Sequence, residues 1–86
     1  MSSPVAVDSD AFWPDDAEDI EEGVVSNWFV REGSQVEHGE TLCEIQIEKV
    51  SIDVTAPTAG ELIEILVEEG AEFGRGDSLA RIEPSS

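Results

Sequence analysis

The stretch CEIQIEKVSIDV, residues 43–54, decides the fold. Apolar and polar residues alternate on both sides of a central Glu48-Lys49 pair. When that pair forms the tip of a hairpin, apolar residues of the two arms face one another on one side of the ribbon. Such alternation predicts two half-buried antiparallel strands with Lys49 exposed at the tip. The predicted inward pairs are Ile47 with Val50, Ile45 with Ile52 and Cys43 with Val54.

The two tip residues are unusual for a hairpin. Two-residue turns favour Asn-Gly or Asp-Gly, because these residues adopt positive φ at little cost. Lys49 is also the single lysine of the chain. Its position therefore indicates that the amine is kept at the tip for a reason other than turn geometry.

Composition limits the classes of function. The chain has 86 residues and a formal net charge of −17, from 21 Asp and Glu against 4 Lys and Arg. This length predicts one small domain, and the charge argues against nucleic acid and anionic membranes as partners. The acidic excess is similar to that of proteins from salt-loving organisms, and mutual repulsion of carboxylates predicts that added salt stabilises the fold.

The sequence shows no membrane, metal or catalytic signature. No apolar run approaches the roughly 18 residues that span a bilayer, and the start lacks a signal-peptide pattern, so we expect a cytoplasmic protein. We also expect it to be a monomer. Cys43 is expected in the core. His38 has no nearby partners of the kind that hold a metal, so it is expected on the surface.

The central region consists of two copies of one pattern. Residues 23–45 align with residues 60–82, each position lying 37 residues before its equivalent, and seven of the 23 positions are identical. Each copy predicts a strand, a Glu-Gly turn, a short strand, a glycine turn and a further strand. Pro57 and Gly60 predict a sharp crossing between the copies. Two such copies should pack face to face with near two-fold symmetry.

The ends of the chain are predicted to lie outside this body. Residues 1–19 are rich in acidic and small residues, which predicts an acidic flexible tail. Whether Phe12 and Trp13 dock as a first strand or remain part of the tail is left open. We expect the domain to occupy residues 20–83 and residues 84–86 to be disordered.

These features together resemble the lipoyl domain of the biotinyl/lipoyl-attachment family, over about residues 20–83. The resemblance implies an all-β fold: a flattened sandwich of two four-stranded antiparallel sheets with quasi-two-fold symmetry, also called a barrel-sandwich hybrid. The stretches that carry it are EGVV (22–25), WFVREG (28–33), VEHGETL (36–42), EIQIEKV (44–50), VTAP (54–57), GEL (60–62) and EG (69–70).

The resemblance also implies a function. Lys49 matches the residue to which a lipoate-protein ligase or lipoyl transferase attaches lipoate through an amide. Glu48, where the family more often has Asp, and Val50 would present the turn to that enzyme. The carrier would then serve a 2-oxo acid dehydrogenase complex, with a thiamine-dependent decarboxylase, an acyltransferase core and a dihydrolipoyl dehydrogenase as partners.

Three other interpretations remain open. A biotin carrier shares the fold but usually has methionines beside its lysine, and the only Met here is Met1. A glycine-cleavage carrier is usually longer. An unmodified β-sandwich that serves as a binding or scaffolding module would leave Lys49 as a solvated turn residue. A starting Met before about 19 tail residues favours a separate small protein over a piece of an acyltransferase.

Overall fold

The computed structural model describes residues 3–85, which form a sandwich of two four-stranded antiparallel sheets. One sheet has the strand order β5-β4-β2-β7 and the other β1-β8-β6-β3. The predicted fold class is therefore confirmed. The strands are β1 (Val5–Asp8), β2 (Glu22–Trp28), β3 (Gln35–Val36), β4 (Thr41–Ile47), β5 (Val50–Thr55), β6 (Gly60–Ile65), β7 (Glu72–Gly74) and β8 (Ser78–Pro84).

The repeat in the sequence is a repeat in the structure. Strands β2, β3 and β4 of the first copy correspond to β6, β7 and β8 of the second, and the edge strands β5 and β1 take equivalent places. Gly33 and Gly70 have φ values of 91° and 85°, a region that favours glycine. The Gly33 N–H donates to the Leu62 carbonyl at 2.7 Å, and the Gly70 N–H donates to the Val25 carbonyl at 2.7 Å.

The two glutamates that precede these glycines join the halves. A carboxylate oxygen of Glu69 accepts a hydrogen bond from the Trp28 N–H at 3.1 Å. A carboxylate oxygen of Glu32 accepts one from the Ile65 N–H at 2.8 Å. Each copy therefore satisfies a backbone donor at the end of the other copy's strand, which explains why glutamate occupies both positions.

The linker between the copies crosses from one sheet to the other, as predicted. It connects β5 in one sheet to β6 in the second, and Gly60 opens β6. A Cβ at Gly60 would overlap the carbonyl oxygen of Glu83 on the neighbouring strand. Glycine at this position therefore permits the close approach of β6 and β8.

The core lies between the sheets and is formed by alternate residues of the strands. The predicted core position of Cys43 is confirmed, because its side chain is fully buried. This burial raises the pKa of the Cys43 thiol to about 12. The largest fully buried side chains include Val7, Val25, Leu42, Ile45, Ile47, Val54, Leu62, Leu79 and Ile82.

The N-terminal segment corrects the prediction of a flexible tail over residues 1–19. From Val5 onward the chain is folded: β1 pairs with β8, with Val7 opposite Ala80. Two short 3₁₀ helices follow, at Ser9–Phe12 and Asp15–Ala17. Without β1, the backbone N–H and C=O groups on one edge of β8 would lack partners in the sheet, and β1 supplies those partners. Residue composition alone does not indicate this pairing.

Trp13 fixes the remainder of this segment to the body. It is 7% exposed and packs edge-to-face on Phe73, with ring centroids 6.1 Å apart. Its indole N–H donates to the Ala17 carbonyl at 3.0 Å. Arg75 lies over the indole ring at 5.8 Å and pairs with Asp10 at 2.9 Å. The aromatic pair therefore docks, although around 3₁₀ helices rather than as a strand.

The predicted disordered end over residues 84–86 is also corrected. Pro84 is the last residue of β8, and the Ser85 N–H donates to the Ala59 carbonyl at 2.9 Å. This bond extends the pairing between the ends of β8 and β6. Ser86, like Met1 and Ser2 of the predicted tail, lies outside the described residues.

Candidate functional site

The candidate site is the hairpin between β4 and β5. Its register agrees with the prediction from alternation: Ile47 pairs with Val50, and the other inward pairs follow in step. Lys49 is exposed at the tip. Two ion pairs occur among residues 3–85, and neither includes Lys49.

The turn itself contains a strained residue. Glu48 has a φ of 56°, and it is the single residue other than glycine with positive φ in the described part of the chain. For an L-residue this conformation costs roughly 1–2 kcal/mol. The Gln46 side-chain amide braces the turn by donating to the Glu48 carbonyl at 3.2 Å. Backbone strain beside an exposed lysine is the kind of feature that marks functional sites.

Val50 departs from the sequence expectation in one respect. It pairs with Ile47 as predicted, yet it is 42% exposed, whereas Ile47 is fully buried. Ile52, further along β5, is half-buried. The physical reason is that β5 is an edge strand of its sheet, so its inward side chains are covered from one side only.

Next to its turn, the hairpin packs against Gly23 of β2. A Cβ at Gly23 would lie 2.7 Å from Cζ of Phe73 and 3.1 Å from Cγ1 of Ile47. The Phe73 ring and Ile47 therefore fill the space that a larger residue would need. Alternation within the hairpin did not predict this support, although the equivalence of Gly23 and Gly60 in the repeat was a usable signal.

An acidic cleft of about 330 Å³ lies beside the turn. Three acidic residues, Glu22, Glu48 and Glu72, line it together with Gln46. Like charges held near one another favour cationic groups on an approaching partner. The sequence did not predict this cleft, because Glu22 and Glu72 are distant from Glu48 in the chain and come near it only through the pairing of β2 with β4 and β7.

The other candidate features of the sequence form no metal site within residues 3–85. His38 is exposed. Within residues 3–85, no cluster of three or more His, Cys, Asp or Glu side chains could hold a metal ion. The same residues include no helix long and apolar enough to cross a membrane.

Two repeat halves packed as a sandwich, with an exposed lysine on a braced hairpin, define the class of biotinyl and lipoyl attachment domains. Comparison with known proteins supports this class. The family described as "Biotin-requiring enzyme", the biotin/lipoyl family, matches residues 12–82. The chain belongs to this biotinyl/lipoyl-attachment family, and its fold is that of a lipoyl domain.

In sequence, the chain is similar to curated acetyltransferase components. The chain is 36% identical over 70 residues to the dihydrolipoyllysine-residue acetyltransferase component of the pyruvate dehydrogenase complex of Staphylococcus aureus. It is 34% identical over 70 residues to the corresponding component of Staphylococcus epidermidis. In both cases the match covers 81% of this chain and 16% of the relative. The chain thus spans about a sixth of the length of these curated relatives.

Solved structures show the same fold. The lipoyl domain of the 2-oxoglutarate dehydrogenase complex from Azotobacter vinelandii matches with a TM-score of 0.73 and 28% identity, covering 94% of this chain and 100% of that domain. A single-chain, multi-domain long-chain acyl-CoA carboxylase matches with a TM-score of 0.77 over 100% of this chain and 8% of its own length. Its 21% identity supports the fold alone.

Proposed function

We propose that Lys49 is the attachment residue for lipoate and that this domain is a swinging-arm carrier of a 2-oxo acid dehydrogenase complex. The observation that carries the proposal is the position of the chain's single lysine, exposed at the tip of the β4–β5 hairpin. The acetyltransferase relatives and the lipoyl domain structure favour lipoate over biotin.

The residues around Lys49 fit an attachment site. The amine is exposed, and neither ion pair of the described residues includes it, so an attaching enzyme meets little competition for it. Fully buried Ile47 anchors the hairpin, and the Gln46–Glu48 hydrogen bond holds the turn. A rigid base of this kind places the amine for reaction in another protein's active site. The domain supplies presentation, and the attaching enzyme must supply deprotonation and an activated lipoyl donor.

When attached, the lipoyl group supplies a dithiolane that carries acyl groups and electrons. The domain's own contribution is to hold that group away from its body and to let partners approach the tip. We propose a lipoate-protein ligase or lipoyl transferase, a thiamine-dependent decarboxylase, an acyltransferase core and a dihydrolipoyl dehydrogenase as these partners. The acidic cleft beside the turn favours partners whose active-site entrances are basic.

Intact-mass measurement after incubation with lipoate, ATP and a lipoate ligase tests the proposal. The chain should gain one lipoyl adduct, while Lys49→Arg, which keeps a positive charge at the tip, should gain none. Acylation removes the ammonium charge, so the net charge should change from −17 to −18 and the band should move on isoelectric focusing. Equal labelling of both proteins would show that the site is wrong. Labelling only by biotin and a biotin ligase would show that the cofactor is wrong.

A further inference from the structure

A second surface feature lies where the two copies of the repeat meet, away from the hairpin tip. It is a groove of about 530 Å³, here called the repeat groove. Its apolar walls are Trp28 and Val30 from the first copy and Ile65 from the second. All three side chains are half-buried, and Trp28 and Ile65 occupy equivalent positions of the repeat. The groove therefore spans the boundary between the halves.

Exposed apolar side chains adjoin these walls in the chain. Phe29, between Trp28 and Val30, is 54% exposed, and Leu66, next to Ile65, is 38% exposed. These two are also equivalent positions of the repeat. Single exposed apolar residues are common on proteins. Neither side chain lines the groove itself, but two exposed apolar residues next in the chain to its walls enlarge the apolar surface available to a partner.

Charged side chains line the groove, and the charges that come from the two copies of the repeat differ. Glu32 and Glu69 each use one carboxylate oxygen to join the halves, which leaves the other oxygen for a ligand. Arg31 and Glu68 are exposed, occupy equivalent positions and have opposite charges. Neither takes part in the two ion pairs formed among residues 3–85. The groove therefore carries one guanidinium, from the first copy, and three carboxylates, two of which come from the second copy.

We propose that the repeat groove binds a segment of a partner protein with an apolar centre, basic residues on the Glu68 side and a carboxylate on the Arg31 side. The three glutamates favour Lys or Arg on the bound segment, and Arg31 fixes the segment's direction. A second copy of this chain fits poorly, because two molecules of net charge −17 repel one another. This binding activity is separate from the lipoyl-carrier function and does not rest on it.

A synthetic peptide tests the proposal on the full chain. The probe has lysines at its N-terminal end, leucines at its centre and a free C-terminal carboxylate. Titration into ¹⁵N-labelled protein at about 0.15 M salt, where the Debye length is about 8 Å, should shift the signals of Trp28, Val30 and Ile65 saturably. A nitroxide on the peptide's N-terminus should broaden signals near Glu68 more strongly than those near Arg31. Absence of a saturable shift at the groove would overturn the proposal.

Charge variants separate groove binding from general attraction to an acidic protein. Glu68→Arg should weaken binding at least about fivefold, an effect typical of one charge pair. The matched control is Glu61→Arg, which makes the same charge change at an exposed position outside the groove and should have less than about a twofold effect. Equal weakening by both variants would leave only non-specific electrostatics and overturn the proposal.

The double variant Arg31→Glu/Glu68→Arg keeps the net charge at −17 and reverses the direction of the groove. It should bind the same peptide with the nitroxide effect moved to the other half. A peptide with serines in place of the leucines should bind at least about tenfold more weakly, because the apolar walls lose their partner. Unchanged orientation, or equal binding of the serine peptide, would contradict the proposal. Concentration-dependent shifts of the Trp28 and Ile65 signals in the absence of peptide would show that a second copy of the chain fills the groove, and would also contradict the proposal.

Discussion

Replacing Trp13 by alanine tests whether the N-terminal segment is part of the fold. A flexible tail would tolerate this change, whereas the structure buries the indole ring to 7% exposure against Phe73. The substitution removes the ring, its edge-to-face contact and the hydrogen bond to Ala17. It also removes the surface under the Arg75 guanidinium. We therefore expect loss of stability in the whole domain, not only in the segment.

The magnitude follows from the buried ring. A tryptophan buries roughly 150–250 Å², which at about 25 cal/mol per Å² gives about 4–6 kcal/mol as an upper bound. A compact unfolded chain reduces this figure by roughly 10–40%, while the aromatic pair and the hydrogen bond each add about 1 kcal/mol. These contributions sum to roughly 4–7 kcal/mol as an upper bound. Because the surrounding residues relax into part of the space left by the ring, we expect Trp13→Ala to lower the free energy of unfolding by about 3–5 kcal/mol, the range for buried aromatic residues.

Urea denaturation measures the change in the free energy of unfolding. The transition is followed by the fluorescence of the remaining tryptophan, Trp28, and by circular dichroism. At about 4 °C or more per kcal/mol, the thermal midpoint should also fall by at least about 12 °C. Trp13→Phe keeps the contact with Phe73 and should lose less, which provides a folded variant when the alanine protein unfolds. The control is Asp16→Asn, on an exposed position of the same segment, with an expected change within about 0.5 kcal/mol. A Trp13→Ala effect as small as that of the control would refute the packing argument.

Three further predictions concern the stability of the domain. Gly60→Ala should lower the free energy of unfolding by about 3 kcal/mol or more, because the new Cβ would overlap backbone atoms of the paired strand. Gly23→Ala should lower it by about 1–2 kcal/mol, because its Cβ would contact the end of the Phe73 side chain, which can shift. Equal losses for the two variants in urea denaturation would contradict this reasoning. Raising KCl from about 0.01 to 1 M, which shortens the Debye length from about 30 to 3 Å, should raise the thermal midpoint by at least about 4 °C, and a midpoint that stays constant argues against carboxylate repulsion. Between pH 9.0 and about 12 the Cys43 thiol stays protonated in the folded protein but loses its proton in the unfolded chain. The free energy of unfolding should therefore fall as the pH rises, by up to about 1.4 kcal/mol per pH unit. The chain has no tyrosine to titrate in this range; Cys43→Ala should remove that slope, and an unchanged slope in this variant would assign it to another group.

Local patterns predicted the parts of the structure that depend on local rules. Alternation over residues 43–54 was sufficient for the hairpin register, because a shift by one residue would place every apolar side chain of the ribbon on the wrong face. The repeated glycines marked the turns, because the positive φ values at Gly33 and Gly70 favour glycine. The candidate lysine followed from the same hairpin, since its tip is set once the register is known.

Features that depend on residues distant in sequence were not predicted. The acidic composition of residues 1–19 indicated a tail, yet Trp13 finds its partners more than 50 residues away, at Phe73 and Arg75. The exposure of Val50 depends on β5 lying at an edge, which requires the strand order of the sheet. The same holds for the cleft beside Glu48, where the other two carboxylates arrive on neighbouring strands.

Local sequence patterns were enough to predict the all-β class, the two-copy architecture and the hairpin that carries Lys49, because period-two alternation and positive-φ glycines act within a few residues of the chain. Three features became visible only in the folded chain: the N-terminal segment closes the second sheet, Gly23 supports the lysine hairpin, and a groove with charged residues lies between the halves. Each of these results from pairing between distant strands, where packing and unsatisfied backbone groups outweigh the local preferences of the residues involved.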